Sequence, residues 1–109
     1  MIQTYLGDVT LYHYLILSAM LFSIGAFGLM ISKNAVKILM CIEIMINAAN
    51  INLVAFSSYS SPFNLSGQVF TTFSIAIAAA EAAIGLAIFI ALYRLYRKVD
   101  VDEIDFLRW

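Results

Sequence analysis

An all-α integral membrane fold with three transmembrane helices is predicted by three features of this 109-residue chain. The composition is 63% hydrophobic and 12% charged, with a mean hydropathy of +0.94, whereas soluble domains are about 45–50% apolar and about 25% charged. Three apolar runs are each long enough to cross a bilayer, which takes about 20 residues. The basic residues, finally, are confined to two short segments rather than spread over a face, so nothing indicates nucleic-acid binding.

The three predicted spans, each followed by a polar segment, cover about 11–31, 35–57 and 69–93. Lys33 and Lys37 separate the first span from the second. The only proline, Pro62, marks the turn between the second and the third. We therefore predict a single membrane domain over 1–109, in which a polar C-terminal tail, 94–109, follows the last span.

The distribution of the basic residues predicts how the chain is oriented in the membrane. These residues lie either between spans one and two or after span three: Lys33, Lys37, Arg94, Arg97, Lys98 and Arg108. With three spans, both segments face the same side. The positive-inside rule then places the N-terminus outside and the C-terminus on the cytoplasmic or stromal side.

Two glutamates inside the predicted spans, Glu43 and Glu81, are the candidate functional residues. A charged side chain at the centre of a bilayer costs roughly 2.5–3.5 kcal/mol, so such residues usually have a function. A carboxyl group in apolar surroundings can bind and release a proton near neutral pH. We therefore predict a proton relay. The alternative is that both glutamates stay protonated and serve as hydrogen-bond donors.

Two asparagines extend the polar surface of the second span beyond Glu43. Asn47 and Asn50 follow that glutamate at helical spacing, so the three side chains share one helix face. Lipid cannot satisfy amide groups, and this face must therefore contact protein or water. Two interpretations stay open: hydrogen bonding between helices, worth about 0.6–2 kcal/mol for each residue, or the retention of water beside Glu43.

The surroundings and depth of Glu81 lead to two further expectations. Alanines flank Glu81 on both sides, which predicts that the third helix packs on more than one side. Glu43 lies about 9 Å beyond Lys37, and Glu81 about 20 Å before Arg94, at 1.5 Å for each residue. If both helices begin near those basic residues, the two carboxyl groups differ in depth by on the order of 10 Å.

The runs that contain the two glutamates resemble subunit K, or chain 4L, of the proton-pumping NADH:quinone oxidoreductases, the respiratory complex I family. The matching runs are SKNAVKILMCIEIMINAANINLVAFS (32–57) and GQVFTTFSIAIAAAEAAIGLAIFIALYR (67–94). The segments IEIMINAANINL and AAAEAAIGLAI are the most specific parts of this resemblance. It extends over about three quarters of the chain and includes the three-span topology.

The resemblance implies a non-redox subunit in the membrane arm of an NAD(P)H- or ferredoxin:quinone oxidoreductase. Glu43 and Glu81 would belong to its hydrated proton path, and Lys33 and Lys37 to the functional basic loop. The implied partners are the lipid bilayer and the quinone-cavity, bridging and antiporter-like subunits. No cofactor is expected in this chain, so quinone, Fe–S clusters and any FMN would be held by partner subunits. The implied location is the bacterial inner membrane or the thylakoid membrane.

Other classes of membrane protein remain as alternatives. One is the homologous subunit of a multisubunit cation/proton antiporter or of a membrane-bound hydrogenase, although the antiporter relatives generally lack this pair of glutamates. Another is a small stand-alone proton-coupled exporter. That class has four spans with a glutamate in the first, and here span one has no carboxylate. A subunit with a purely structural role in assembly is the last alternative.

Overall fold

Three long α-helices make up the computed structural model, which describes residues 9–60, 62 and 64–96. The helices are α1 (Leu11–Ile31), α2 (Ala35–Ser58) and α3 (Ser66–Tyr96). All three are long and apolar enough to cross a membrane. The predicted all-α fold with three membrane-spanning helices is therefore confirmed.

The helix boundaries agree with the sequence prediction for α1 and differ slightly for the other two helices. α2 ends one residue later than predicted, and α3 extends three residues further at each end. The first residues of the predicted tail, 94–96, therefore belong to α3, whereas residues 97–109 lie outside the described part of the chain. With 31 residues, α3 is about 46 Å long, well above the roughly 30 Å of hydrocarbon in a bilayer.

Polar side chains fix the points at which α1 and α2 begin. His13 Nδ1 accepts a hydrogen bond of 3.1 Å from the backbone N–H of Thr10, the residue before α1. Asn34 precedes α2, and its Oδ1 accepts from the backbone N–H groups of Val36 at 2.9 Å and Lys37 at 3.3 Å. These bonds satisfy backbone donors that have no partner within the helix, as N-cap residues typically do.

The contact between α1 and α2 is formed by small residues. The buried Ser18 hydroxyl of α1 donates a hydrogen bond of 2.8 Å to the backbone carbonyl of Ala48 in α2. Further along α1, a Cβ atom on Gly25 would lie only 2.7 Å from Cγ of Met45. The two antiparallel helices therefore approach closely because neither side chain on α1 is bulky.

A second close contact joins the end of α2 to the start of α3. A Cβ atom on Gly67 would collide with the backbone carbonyl oxygen of Leu53, so only glycine fits at this position. The buried hydroxyl of Ser57 accepts a hydrogen bond of 3.1 Å from the Gly67 backbone N–H. The same hydroxyl lies 2.8 Å from Oε1 of Gln68. This hydrogen-bonded junction sets how α3 lies along α2.

α2 is the central helix, and it packs against both α1 and α3. Within the described residues, α1 and α3 make no contact of comparable extent with each other. The expectation that α3 packs on more than one side is therefore not met by the residues that the structure describes. In the described part of the chain, α3 packs chiefly against α2.

Candidate functional site

The two glutamates lie at nearly the same depth on neighbouring antiparallel helices. Gly85 of α3 faces Leu39 of α2, and a Cβ atom added to this glycine would lie 3.6 Å from a methyl group of that leucine. Glu81 precedes Gly85 by four residues, and Glu43 follows Leu39 by four residues. Since the helices run in opposite directions, both glutamates are displaced from that contact by about 6 Å toward the same end of the bundle.

The predicted difference in depth of about 10 Å is therefore wrong. It assumed that Lys37 and Arg94 lie at the same level, near the ends of their helices. In the structure Lys37 is only two residues from Leu39, whereas Arg94 is nine residues beyond Gly85. Arg94 therefore lies about 10 Å beyond the level of Lys37. This extra length of α3 accounts for the wrong prediction of the depth of Glu81.

Glu81 is exposed on the isolated chain and lies in a groove between α2 and α3. This groove has a volume of about 670 Å³. We call it the glutamate groove, and its lining residues are Ile46, Leu53, Phe70, Phe73, Ser74, Ile77, Ala78 and Glu81. Glu81 and Ser74 are its polar members. A carboxyl group on a largely apolar surface at this depth needs a polar partner that the described chain does not supply.

A second groove, of about 640 Å³, lies between α1, α2 and α3. We call it the asparagine groove, and it is lined by Tyr14, Leu17, Asn47, Asn50, Ile51, Val54, Ala55, Ser58, Tyr59, Thr71 and Ile75. The two grooves share no residue, although α2 and α3 form walls of both. They therefore lie on opposite flanks of the α2–α3 contact.

Glu43 is half-buried and lines neither groove. It lies one helical turn before Asn47 and on the same face of α2. Asn47 is exposed and Asn50 is buried, and both line the asparagine groove as the shared helix face predicts. The polar face that begins at Glu43 thus continues into the groove on the flank opposite Glu81.

Asn50 has an unsatisfied side-chain amide. The residue is only 5% exposed, and its Nδ2 atom is buried and has no hydrogen-bond partner. The backbone carbonyl of Asn50 lies 3.5 Å from Oγ1 of Thr71, at the limit of a hydrogen bond. Asn52 also has a buried unpaired atom, Oδ1, but it lies outside both grooves.

Two tyrosines that the sequence did not mark as site residues close one end of the asparagine groove. The rings of Tyr14 and Tyr59 are 6.0 Å apart between centroids and tilted by 49°. The Tyr59 hydroxyl donates a hydrogen bond of 3.0 Å to the backbone carbonyl of Val9. The available signal was their position at the ends of two apolar runs, where tyrosines often lie at the membrane surface. That signal does not show that they pair.

The two lysines predicted as supporting residues lie apart from both grooves. Lys33 is in the connection between α1 and α2, and Lys37 is in the first turn of α2; both are exposed. Lys37 precedes Glu43 by six residues, about 9 Å along the helix axis. In the part of the chain that the structure describes, no group of three or more His, Cys, Asp or Glu residues could hold a metal ion.

These features define a class: small three-span membrane proteins that carry carboxyl groups at the level of their helix–helix contacts. The family model for NADH-ubiquinone/plastoquinone oxidoreductase chain 4L matches residues 13–109. The chain therefore belongs to the chain 4L family of quinone oxidoreductase subunits.

Individual relatives are similar over nearly their whole length. The NAD(P)H-quinone oxidoreductase subunit 4L of Leptolyngbya boryana is 52% identical over 91% of this chain and 98% of the relative. The chloroplastic NAD(P)H-quinone oxidoreductase subunit 4L of Chaetosphaeridium globosum is 57% identical over 87% of this chain and 95% of the relative. The NADH-quinone oxidoreductase subunit K of a Geobacillus species is 50% identical over 94% of this chain and 99% of the relative. With the three apolar helices, these relatives identify a multi-pass protein of the bacterial or thylakoid membrane.

Proposed function

We propose that this chain is a membrane-arm subunit of a proton-translocating quinone oxidoreductase, in which Glu43 and Glu81 pass protons across the α2–α3 contact. The observation that carries the proposal is that the two glutamates lie at a common depth on adjacent helices. Glu81 lines the groove on one flank of the α2–α3 contact, and the helix face that contains Glu43 lines the groove on the other flank. Family membership favours this function over a stand-alone exporter or a cation/proton antiporter subunit.

Equal depth favours proton movement along the membrane plane rather than across the membrane. A proton that passes between two groups at one level gains little distance along the membrane normal. It does move from one side of the helix pair to the other. The chain would therefore connect two neighbouring subunits, one at each flank, and would complete a proton path that it cannot form alone. Proton translocation across the bilayer would be carried out by those partners.

The exposure of Glu81 supports the participation of a neighbouring subunit. An ionised carboxylate facing lipid at this depth costs several kcal/mol, whereas a polar side chain or water from a partner would remove most of that cost. The partner would also shield the carboxyl group from bulk solvent. Under these conditions its protonation can respond to a nearby charge.

The remaining predicted residues have supporting roles in this proposal. Asn47, one turn from Glu43, would hold water or a partner group beside that carboxyl, and Asn50 would continue the same polar face. Lys33 and Lys37 would place positive charge at the end of α2 nearest Glu43. No redox cofactor is proposed for this chain, and quinone reduction would take place in partner subunits.

Replacement of each glutamate in the assembled enzyme tests the proposal. We expect Glu43→Gln and Glu81→Gln each to lower quinone reduction coupled to proton uptake into vesicles by about tenfold or more, because an amide cannot bind and release a proton. Glu43→Asp and Glu81→Asp should keep a larger fraction of the activity. The control is Met40→Gln, which places the same amide at an exposed position of α2 near the Glu43 level.

Assembly must be measured for every variant, because a structural defect would also lower activity. Native electrophoresis of solubilised membranes gives the amount of intact complex, and the rates are divided by that amount. If both glutamine variants assemble and translocate protons at the rate of the unaltered enzyme, the relay is excluded and the glutamates have a structural role.

A further inference from the structure

We propose that His13 is a pH-sensitive latch, which holds the start of α1 against the end of α2 while its ring is neutral and releases it when the ring is protonated. The latch lies at the end of the bundle that the basic residues predict to face outward, and it uses neither glutamate. The proposal therefore stands or falls separately from the roles of Glu43 and Glu81.

The hydrogen bond at the start of α1 is the first observation behind this proposal. The backbone N–H of Thr10 donates to Nδ1 of His13 at 3.1 Å. Because a backbone amide nitrogen can only donate, Nδ1 must be the unprotonated nitrogen, and the ring must be the neutral form that carries its proton on Nε2. An imidazolium ring has no acceptor. Protonation of His13 therefore removes this hydrogen bond.

The hydroxyl group of Thr10 gives the protonated ring a different partner. Oγ1 of Thr10 also lies 3.1 Å from Nδ1 of His13. A protonated Nδ1 would donate to this oxygen, and the backbone N–H of Thr10 would lose its acceptor. The positive ring would also lie in the first turn of α1, where the helix dipole disfavours a cation. Both effects weaken the start of the helix in the protonated state.

Two contacts connect the start of α1 to the end of α2. The hydroxyl of Tyr59, the residue after α2, donates a hydrogen bond of 3.0 Å to the backbone carbonyl of Val9. The ring of Tyr59 also packs against that of Tyr14, at 6.0 Å between centroids. Val9 and Tyr14 lie on either side of the Thr10–His13 hydrogen bond in the sequence. The first turn of α1 must therefore keep its shape for Tyr59 to make both contacts.

The described surroundings of His13 contain no charged side chain that could replace the lost hydrogen bond. The described residues at this end of the bundle include no Asp, Glu, Lys or Arg, and they span 9–16, 53–60, 62 and 64–72. The other titratable groups in these ranges are Tyr12, Tyr14 and Tyr59. Asp8, the nearest acidic residue in the sequence, lies outside the described residues.

The chemistry and exposure of His13 suit a response to the pH of the outer compartment. Histidine is the side chain that ordinarily changes its charge between about pH 5 and pH 8, and His13 is exposed on the described chain. In the proposed enzyme the outer compartment receives the translocated protons, so the latch would weaken as that compartment becomes acidic. This setting rests on the proposed function, whereas the latch itself does not.

Hydrogen–deuterium exchange in the detergent-purified, assembled enzyme tests the latch. Exchange of the peptide that covers 11–18 is measured at about pH 7.5 and about pH 5.5, on either side of the ordinary titration of histidine. Each rate is divided by the intrinsic rate at that pH. Protection should fall at least severalfold at the lower pH. The peptide that covers 35–42 is the control, because the side chain of its cap, Asn34, does not titrate.

Two variants separate protonation of His13 from other effects of acid. His13→Gln keeps an acceptor that can reach the Thr10 N–H, as in a capping box, but does not titrate, so 11–18 should stay protected at both pH values. His13→Leu has no acceptor and should be poorly protected at both. Equal protection in these two variants, or an acid-induced loss in His13→Gln as large as in the unaltered enzyme, would overturn the proposal.

The connection to α2 is tested in the same experiment. The peptide that covers the last turn of α2, 55–58, should lose protection together with 11–18 in the unaltered enzyme, because Tyr59 joins the two ends. A loss confined to α1 would exclude the latch between the helices. Unchanged or higher protection of 11–18 at the lower pH, as an ion pair of His13 with Asp8 would produce, would overturn the proposal as a whole.

Discussion

Small side chains and hydroxyl groups form the helix contacts of this protein at the residue scale. The buried apolar residues in the described part of the chain are all alanines, Ala35, Ala48, Ala55 and Ala78. Lipid tails are as apolar as leucine, so large apolar side chains gain little by leaving the bilayer for a helix contact. Close backbone approach and hydrogen bonds between helices provide the stability instead.

The first prediction concerns two glycines of α3. Gly67→Ala would drive a methyl group into the backbone of Leu53 and into Ser57, so we expect a loss of about 1–3 kcal/mol, typical of overpacking. Gly85→Ala is the matched control, because its new methyl group would make ordinary contact with Leu39 at 3.6 Å. The measurement is the temperature at which the detergent-purified complex loses this subunit. Equal temperatures for the two variants would show that α3 does not approach α2 as closely at Gly67 as described.

The second prediction separates two serines of α1. Ser18 donates its hydrogen bond to Ala48 of α2, whereas the exposed Ser23 donates to Ala19 of its own helix. Ser18→Ala should therefore destabilise the α1–α2 pair by about 0.6 kcal/mol or more, the typical value of a hydrogen bond between membrane helices. Ser23→Ala should have no such effect. The same thermal assay checks both variants, and a larger loss for Ser23→Ala would contradict the assignment.

At the scale of helices, the sequence predicts where each span lies but not how the spans pair. Hydropathy alone places α1 within its observed limits, because a run of apolar residues must end where the chain leaves the bilayer. The register of α2 and α3 depends on Gly67, Ser57 and Gly85, which contact residues distant in sequence. For that reason the sequence predicts the wrong depth for Glu81 and does not predict the two grooves.

The third prediction tests this register by cysteine cross-linking. In a Cys41→Ala background, Leu39→Cys combined with Gly85→Cys should be joined by a short bifunctional thiol reagent, since the methyl groups of Leu39 lie beside Gly85. Leu39→Cys combined with Leu92→Cys is the control. Leu92 lies two turns from Gly85 on a similar face of α3, at the level that a 10 Å difference in depth between the glutamates would require. Denaturing electrophoresis detects the cross-link. More efficient cross-linking of the Leu39–Leu92 pair than of the Leu39–Gly85 pair would contradict the register described here and would support a 10 Å difference in depth between the glutamates.

At the scale of the whole molecule, the described chain leaves much apolar surface uncovered and several polar groups without partners. Its three helices form a row with α2 in the middle, and large apolar side chains are exposed on every helix. Some of this surface suits lipid, but the exposed carboxyl group of Glu81 does not. Membership of a family of oxidoreductase subunits agrees with a fold in which this carboxyl group is satisfied on assembly.

The fourth prediction concerns the orientation of the chain, which rests on the basic residues alone. Both Lys33 and Lys37, between α1 and α2, should face the cytoplasm or stroma, together with the C-terminus. A cysteine at Lys33 should react with a membrane-impermeant maleimide only in inside-out vesicles. A cysteine at Ser66, at the start of α3, should react only in right-side-out vesicles. The reverse pattern would contradict the predicted orientation.

The most direct test of the central claim is infrared difference spectroscopy of the carboxyl C=O stretch during turnover of the assembled enzyme. If Glu43 and Glu81 both change protonation, the difference spectrum of the unaltered enzyme contains carboxyl bands. Glu43→Gln and Glu81→Gln should each remove part of them, while Met40→Gln retains them. A spectrum with no carboxyl band lost in either glutamate variant, together with normal proton translocation, would contradict the proposed relay.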